Sequence, residues 1–535
     1  MGPTLVELGL LAITFSAALV LYALVNDRKL ANTPNVALSL SKRLTHQDMR
    51  ELAGEMESHP LAKETELKEQ MPPKTGRRYI VTGGSGFLGG YVVAQLLDRG
   101  EDPRKIRILD LNEPSHPTVS SALSQGLQLF KTNLADSKAV LNAFTAPWYD
   151  DNKGNTSTTV FHTASNILFY ERHPAFLDRS TKVNVEGTRN VVSSSKAVNA
   201  DVLIYTSSAA AGVKSTRLLL FPWETHPKHH IQVFNEDSES HFPKEHWGHF
   251  SNYAISKRMA EALVLEADKS NTSGGKTLRT GALRPHGIFG RGDVLLGACI
   301  VREISPTWMG SALQSFCYVE NCALAHLLYE RRLLDLLDQD QLSKPTLNSQ
   351  KRPLPDIGGR PFCISDPCPT PTHNDTYVAM ETFTHGVCSF PYLPTSIMLI
   401  VAHLIEAYYV TQHFITTAYP ILRNLFPPVV GDVRNLQPAI FYLTKVHIIV
   451  DDSRARLSPE KGGLGYKGAW TTMEGIYKMV QEYKSESAWS DARNGRVGMN
   501  YFGLGKKARK DMAADGFKSI PIPALPVEVI TGNAR

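Results

Sequence analysis

Apolar residues dominate the start of the chain and then recur in short runs separated by polar segments. Residues 8–25 form an uninterrupted uncharged and mostly apolar stretch, which ends at Asn26-Asp27-Arg28-Lys29. As a helix rising about 1.5 Å per residue, this stretch would be about 27 Å long, close to the hydrocarbon thickness of a bilayer. A cleaved signal peptide would begin with a basic segment, and a core helix would show an amphipathic face. We therefore predict a retained membrane anchor over residues 1–27.

The segment that follows the anchor, residues 28–77, is mostly charged and polar, which predicts a stalk. One helix is expected in it, because Thr45 and Asp48 have the spacing of an N-terminal capping box. The Lys and Arg residues near the anchor all follow the apolar run. By the positive-inside rule, this bias places the rest of the chain in the cytosol.

From Arg78 onward, short apolar runs alternate with amphipathic segments. Residues 78–100 have the pattern of a strand, a glycine-rich turn and a helix, and residues 177–198 predict a long helix. Further runs typical of buried strands occupy residues 106–111, 127–133, 158–165, 202–208 and 278–285. Strands that alternate with covering helices indicate a parallel, doubly wound sheet. The predicted fold class is therefore α/β, of the Rossmann type, over residues 78–300.

The glycine-rich turn has the spacing of a dinucleotide-binding site, with Gly83, Gly86 and Gly89 between the strand and the helix. Glycines permit a tight turn and let a pyrophosphate approach the positive end of the helix. Asp110 ends the next strand, where a carboxylate can accept a hydrogen bond from a ribose 2′-hydroxyl. NADP is disfavoured because its 2′-phosphate would be repelled by Asp110, so we predict NAD as the cofactor.

Two polar features follow later strands and predict the chemistry. Ser208 ends the run at 202–208, and Tyr253 and Lys257, four residues apart, share one face of a predicted helix. A phenol ordinarily has a pKa near 10 and is a poor base, but a neighbouring ammonium and a nicotinamide cation stabilise the phenolate. Tyr253 is then a general base for a secondary alcohol, Ser208 a hydrogen-bond partner of the same oxygen, and Lys257 also a ribose ligand.

Composition narrows the class of protein without identifying it. The chain of 535 residues is 42% hydrophobic and 20% charged, which excludes disordered, collagen-like and polytopic membrane proteins. A net charge of +5 without a basic, aromatic stripe gives no reason to expect nucleic acid. The six cysteines contain no CxxC pair and are interpreted as reduced core thiols.

Two further features admit other interpretations. Six histidines lie between Ser208 and Tyr253, but no zinc-binding spacing occurs among them, so no metal site is predicted. They are His226, His229, His230, His241, His246 and His249.

Residues 394–430 are largely apolar but contain His403 and Glu406. This region is interpreted as an amphipathic lid that dips into the membrane, with a spanning helix and a core helix as alternatives.

A set of motifs in a fixed order resembles the extended short-chain dehydrogenases of the 3β-hydroxysteroid dehydrogenase family. The likeness covers about residues 78–480, and within the family it is greatest to the decarboxylating sterol-4α-carboxylate dehydrogenases. The motifs are TGGSGFLG (82–89), HTAS (162–165), NVEGT (184–188), YTSSAA (205–210), YAISK (253–257), ALRPHGIFGRGD (282–293), CYVENCALAHLLY (317–329), DDSRAR (451–456) and LGY (464–466).

The resemblance implies roles for individual residues. Ser208, Tyr253 and Lys257 would be catalytic, and Asn184 would support them. The cofactor would be bound by Gly83, Gly86, Gly89, Asp110, Asn133, Tyr253 and Lys257. The chain departs from the family pattern at Asn133 and Ser315, where an Asp is usual. Asn133 can still donate and accept hydrogen bonds near the adenine.

The resemblance also implies substrate, location and organisation. The substrate would be a sterol or triterpenoid, oxidised at its 3β-hydroxyl and losing CO₂ if it carries a 4α-carboxylate, with Arg284 or Arg291 a candidate cation for that carboxylate. A paired, purely structural Arg284 is the alternative. The protein would lie at the endoplasmic reticulum, as a homodimer or beside other sterol-pathway enzymes. The substrate-binding region would be 301–480, with an inserted loop at 334–358 and a tail at 481–535.

Other functions stay open at this point. A nucleotide-sugar epimerase or dehydratase, or a reductase of another secondary metabolite, would use the same fold. The apolar anchor and lid argue against a water-borne sugar nucleotide. A non-catalytic NAD-binding redox sensor is a hypothesis from another class, and the presence of Ser208, Tyr253 and Lys257 argues against it.

Overall fold

The N-terminal apolar run folds into one long helix that continues beyond the predicted anchor. The computed structural model describes residues 4–149, 157–237, 242–342 and 353–484. Helix α1, Leu5–Ala31, begins with a capping box of Thr4 and Glu7, and residues 6–21 of it are exposed. Among the described helices, α1 is the one long and apolar enough to cross a membrane.

The segment predicted as a stalk is helical and packs on the body of the protein. Its helices are α2 (Asn35–Leu38), α3 (His46–Ser58) and α4 (Ala62–Gln70). The capping box expected at the start of α3 is confirmed. Met49 and Leu67 are buried in the main core, and Arg43 forms an ion pair of 2.8 Å with Asp375. A free stalk is therefore not what the structure shows, because the few apolar residues of this polar segment are gathered on one buried face.

The predicted alternation of strands and helices continues through the rest of the chain. The strands are β1 (Arg78–Thr82), β2 (Ile106–Asp110), β3 (Gln128–Lys131), β4 (Thr158–His162), β5 (Val202–Thr206), β6 (Ile231–Phe234), β7 (Ser270–Asn271), β8 (Thr277–Pro285), β9 (Ile288–Phe289), β10 (Cys317–Tyr318), β11 (Pro361–Ile364) and β12 (His447–Val450). The remaining helices are α5 (Phe87–Asp98), α6 (Pro117–Leu123), α7 (Ser137–Thr145), α8 (Leu177–Thr181), α9 (Gly187–Ala197), α10 (Asn252–Glu266), α11 (Leu296–Arg302), α12 (Val319–Leu342), α13 (His373–Phe383), α14 (Thr395–Ala418), α15 (Pro438–Thr444), α16 (Ser453–Arg456) and α17 (Thr472–Lys484).

One parallel sheet organises the fold, with the strand order β11-β8-β5-β4-β1-β2-β3 and the short β7 antiparallel to β8. Residues of α5 and α12 pack on one face of the sheet, and residues of α7, α9 and α10 pack on the other. Since both faces are covered, the strand residues are mostly buried, including polar ones such as Arg107 and Arg279. The predicted doubly wound α/β fold is confirmed, and the carboxyl ends of all seven parallel strands meet at one edge.

The predicted insertion at 334–358 is only partly a loop. Residues 334–342 continue α12, because Leu333, Leu334 and Leu336 extend its buried face. At the other end Ile357 is fully buried, and Asp356 accepts hydrogen bonds from Lys269 and Arg279. Residues 343–352, and nearly all of the predicted tail, lie outside the described residues.

The predicted lid region contains α14 and one short 3₁₀ turn, Pro420–Asn424. Met398, Leu399 and Ala402 of α14 are buried in a second apolar cluster, which also contains residues of α15. Midway along the helix, Glu406 forms a half-buried ion pair of 2.6 Å with Arg172. α14 is therefore fixed against the body by both apolar and charged contacts, and it does not have the hydropathy of a spanning helix.

Candidate active site

The glycine turn lies at the carboxyl edge of the sheet, between β1 and α5. Gly83 has a φ of 75°, and a Cβ there would lie 2.8 Å from the backbone of Ala164. A Cβ on Gly89 would lie 2.2 Å from the carbonyl oxygen of Gly83. Gly86 is the N-cap of α5, and no side chain caps that helix. The first N–H groups and the positive end of the α5 dipole are thus left for an anionic group, which fits a dinucleotide pyrophosphate.

Asp110 stands beside this turn at the end of β2. Its carboxylate accepts hydrogen bonds from the backbone N–H groups of Ser85 (3.2 Å), Leu111 (2.7 Å) and Asn112 (3.1 Å). These three bonds hold the half-buried side chain against the glycine turn. The position is the one that a ribose-binding carboxylate requires.

Asn133 follows β3 at the same edge but is turned toward its own loop. Its side-chain oxygen accepts a hydrogen bond of 3.1 Å from the backbone of Ala135, and the residue is exposed. An Asn in this role stabilises a turn. Contact between Asn133 and a cofactor remains a prediction.

Ser208, Tyr253 and Lys257 meet at the carboxyl ends of β4, β5 and β8. Tyr253 lies in the first turn of α10, whose N-cap is Ser251, and its hydroxyl is near enough to the Ser208 side chain for Ser208 to influence its ionisation. The Lys257 ammonium, one turn further along α10, donates 2.6 Å to the carbonyl oxygen of Thr206 and lies 4.2 Å from the centre of the Tyr205 ring.

Burial perturbs both ionisable groups of this set. Burial raises the pKa of Tyr253 to about 12, against the lowering effect of the neighbouring Ser208 hydroxyl. Burial lowers the pKa of Lys257 to about 7, against the raising effect of Glu261. A phenol and an amine one helical turn apart, both with pKa values displaced by burial, are typical of an active site.

An apolar surface adjoins the phenol. Tyr253 contacts the second apolar cluster, to which α10, the segment after Ser208, α14 and α15 contribute. The cluster includes Ala210, Ala254, Leu399 and Phe441. The phenol-bearing residue is therefore packed against an apolar part of the protein.

The comparisons with known proteins agree with this geometry. The sequence pattern of the 3-beta hydroxysteroid dehydrogenase/isomerase family matches residues 80–385, more than half of the chain. The chain belongs to this family. The resemblance drawn from the motifs is thereby confirmed, and so is the class of enzyme, an oxidoreductase.

Two curated relatives illustrate the range of similarity within the family. Mouse 3 beta-hydroxysteroid dehydrogenase type 7 is 27% identical over 414 residues, which cover 75% of this chain and 94% of the mouse protein. The decarboxylating sterol-4-alpha-carboxylate 3-dehydrogenase of Schizosaccharomyces pombe is 30% identical over 277 residues, which cover 51% of this chain and 67% of the yeast protein. Among solved structures, a UDP-glucose 4-epimerase from Thermotoga maritima is similar over 76% of this chain and 98% of its own, at 17% identity and a TM-score of 0.46.

The structure adds one supporting residue, His326, that the sequence did not reveal, and it gives the contacts of Asn184, for which the resemblance implied a supporting role. His326, on α12, shares a hydrogen bond of 2.7 Å with the hydroxyl of Thr206, whose carbonyl oxygen binds Lys257. The motif at 317–329 contains His326, but the sequence gives no sign that it reaches a strand 120 residues earlier. Asn184 lies in a π-helical turn between α8 and α9 and donates 2.9 Å to Ser256 of α10. Such a turn inside a helix often marks a functional position.

Other candidates from the sequence are structural. Arg284 is buried and paired with Glu261, with 2.9 Å between Nε and Oε2, as its alternative interpretation predicted. The Arg291 guanidinium donates to the carbonyl oxygen of Glu482. No cluster of metal-ligating side chains occurs among the described residues, and His241 lies outside them. All six cysteines are free thiols, four of them buried.

Proposed function

We propose that this protein oxidises the 3β-hydroxyl group of a sterol or triterpenoid with NAD as hydride acceptor. The observation that carries the proposal is the convergence of Ser208, Tyr253 and Lys257 at the carboxyl edge of the sheet, with Tyr253 packed against the second apolar cluster. A reactive phenol with a dinucleotide cradle on one side and hydrocarbon on the other suits an apolar alcohol.

The cofactor-binding residues would be the glycine turn, Asp110, Asn133, Tyr253 and Lys257. When bound, NAD supplies the ring that accepts the hydride. The N–H groups at the start of α5 bind the pyrophosphate, Asp110 accepts from the adenosine ribose 2′-hydroxyl, and Lys257 donates to the other ribose. A 2′-phosphate would place negative charge against Asp110, which supports NAD over NADP.

Side chains of this protein remove the proton of the substrate hydroxyl group. Tyr253, as phenolate, takes the proton of the substrate 3-hydroxyl while the C3 hydride leaves and the carbonyl bond forms. Ser208 donates to the same substrate oxygen and keeps it facing the phenol. Because the pKa of Tyr253 is about 12 in its buried place, the phenolate needs the positive charge of Lys257 on the same face of α10.

The proposed substrate is a 4α-carboxysterol, because it has the 3β-hydroxyl that this chemistry oxidises and it is the substrate class in the name of the Schizosaccharomyces pombe relative. Oxidation at C3 forms a ketone on the carbon next to C4, the carbon that carries the carboxylate. The resulting β-keto acid loses CO₂, and the electron pair of the broken bond is delocalised as an enolate that is then protonated. No additional decarboxylating residue is required, so the site has only to admit the carboxylate.

The alternative functions predict different side chains near Tyr253. A nucleotide-sugar epimerase or dehydratase needs polar contacts for its sugar and nucleotide, whereas Tyr253 is packed against an apolar cluster. A reductase of another apolar metabolite is the second candidate, since the same apolar cluster would receive it. A non-catalytic redox sensor has no use for Ser208, Tyr253 and Lys257 placed together.

A paired substrate assay tests the proposed function. The full chain in membranes is incubated with NAD and either a 4α-carboxy-3β-hydroxysterol or the same sterol without the carboxylate, while NADH and CO₂ are recorded together. We expect equal amounts of NADH and CO₂ from the acid and weak turnover of its counterpart. NADH from the counterpart alone would reduce the proposal to a general 3β-hydroxysteroid dehydrogenase, and turnover of neither sterol would contradict it.

Asp110 is expected to set the choice of cofactor. Replacement by Ala removes one charged hydrogen bond to the ribose and one repulsive charge, so the ratio of kcat/KM for NAD over NADP should fall by at least about 10-fold. Glu113→Ala is the matched control, because it removes an exposed carboxylate three residues away that pairs with Lys131. An unchanged ratio in Asp110→Ala would remove Asp110 from the cofactor site.

We propose further that α1 anchors the protein in the endoplasmic reticulum membrane with the catalytic body in the cytosol. The basic residues Arg28 and Lys29, at the end of α1, support this orientation. A homodimer, or a complex with other enzymes that act on sterols, would keep a poorly soluble substrate near the site.

A further inference from the structure

A polar loop of the catalytic body is bonded to the last turns of the apolar helix. Asn26 of α1 donates 3.0 Å to the carbonyl oxygen of Leu218 and accepts 3.0 Å from the N–H of Leu220. Tyr22 donates to the same Leu220 at 2.9 Å, and Lys29 donates to Pro222 at 2.8 Å. These bonds fix residues 217–224 beside α1 from Tyr22 to Lys29.

The tip of this loop exposes two large aromatic side chains. Trp223 is 76% exposed and Phe221 is 49% exposed, and their rings are stacked with centres 4.8 Å apart. The Arg217 guanidinium lies 4.1 Å from the Phe221 ring centre, and Arg217 also pairs with Glu224. The stacked rings of Phe221 and Trp223 are therefore held in an ordered arrangement, although the described part of the chain buries little of Trp223.

The start of α14 meets α1 next to this loop, since the Asn26 amide nitrogen that bonds Leu218 also donates 2.8 Å to the Ser396 hydroxyl. Asp27 accepts a hydrogen bond of 2.8 Å from the N–H of Ser396, and the next residue, Ile397, is exposed. Ile400 and Leu404, further along the same outward side, are 39% and 66% exposed. The exposed apolar surface of α1 thus continues onto the body through two adjacent segments, the loop 217–224 and the start of α14.

We propose that the loop 217–224 and the first turns of α14 form a collar that contacts the lipid bilayer around α1. If the apolar run of residues 8–25 lies in the hydrocarbon, Tyr22 is in its last turn and Lys29 is about 6 Å beyond its end. The loop bonded to both is then at the level of the headgroups, where Trp side chains with an apolar body and a polar N–H accumulate in membrane proteins. The collar holds the catalytic body directly on the membrane and does not depend on which alcohol the site oxidises.

Depth-dependent fluorescence quenching tests the collar. The full chain is reconstituted in phosphatidylcholine vesicles whose acyl chains carry bromine either near the headgroup or near the chain end. The emission of Trp223 is the difference between the native protein and Trp223→Phe. We expect it to be quenched about twofold more strongly by the shallow bromine than by the deep bromine. Phe221→Trp introduced together with Trp223→Phe should restore the shallow quenching.

Trp148→Phe is the control, because Trp148 lies against Arg107 at the opposite, amino edge of the sheet, and the lipid-dependent quenching should be unchanged. Trp223 emission that is insensitive to both lipids but quenched by acrylamide would place the loop in water and overturn the proposal. Emission shielded from bromine and from acrylamide alike would show that a protein covers the loop, which also overturns it. Since no substrate is added, these results are separate from the success of the sterol assay.

Discussion

Replacing Tyr253 with Phe should lower turnover of the 3-hydroxysterol by about 10³-fold, within the range that general acid–base catalysis contributes. The change removes one oxygen, so the apolar packing of the ring is kept and NAD should bind with nearly native affinity. Steady-state turnover and cofactor titration by fluorescence measure the two quantities separately. The expected pattern is a large loss of kcat with an unchanged dissociation constant.

Tyr477→Phe is the matched control. Tyr477 lies on α17, far from the site, and its phenol oxygen is bonded to Glu57 of α3. The turnover of Tyr477→Phe should equal that of the native protein. Retention of more than a few per cent of native turnover in Tyr253→Phe would show that another group takes the proton. Loss of NAD affinity in the same variant would instead show that the phenol oxygen is needed for cofactor binding, and the lost turnover would then not identify Tyr253 as the base.

Replacing Lys257 with Met should impair both cofactor affinity and turnover, each by about 10-fold or more, because the ammonium both donates to the ribose and stabilises the phenolate. Met keeps most of the buried side-chain volume, so a cavity is not the cause. Lys478→Met is the control: it removes an enclosed lysine that pairs with Glu320, remote from the site. It should alter the free energy of unfolding but not the affinity for NAD.

The lowered pKa of Lys257, about 7, gives this prediction a pH dependence. The ammonium is present below pH 7 and is lost as the pH rises through 7, so the affinity of the free protein for NAD should decrease over that interval. The dependence should disappear in Lys257→Met, which has nothing to titrate there. An affinity that falls equally in both proteins would assign the titration to another group.

The sequence by itself determined the parts of this protein that depend on neighbours along the chain. Hydrophobic runs separated by amphipathic helices were enough to predict the doubly wound sheet, and the capping box of Thr45 needed only its spacing. The glycine turn was equally local, because a positive φ at Gly83 and close approach at Gly89 are properties of a few adjacent residues. Tyr253 and Lys257 share a helical face for the same reason.

Tertiary structure decided whatever depends on residues far apart in the chain. The bond between His326 and Thr206, and the packing of the predicted stalk on the body through Met49, arise from burial of side chains whose partners no local pattern reveals. The loop at 217–224 joins α1 through backbone carbonyl groups, which carry no sequence signature at all. Local periodicity thus selected the elements of this protein, whereas desolvation and the pairing of buried polar groups fixed how they meet.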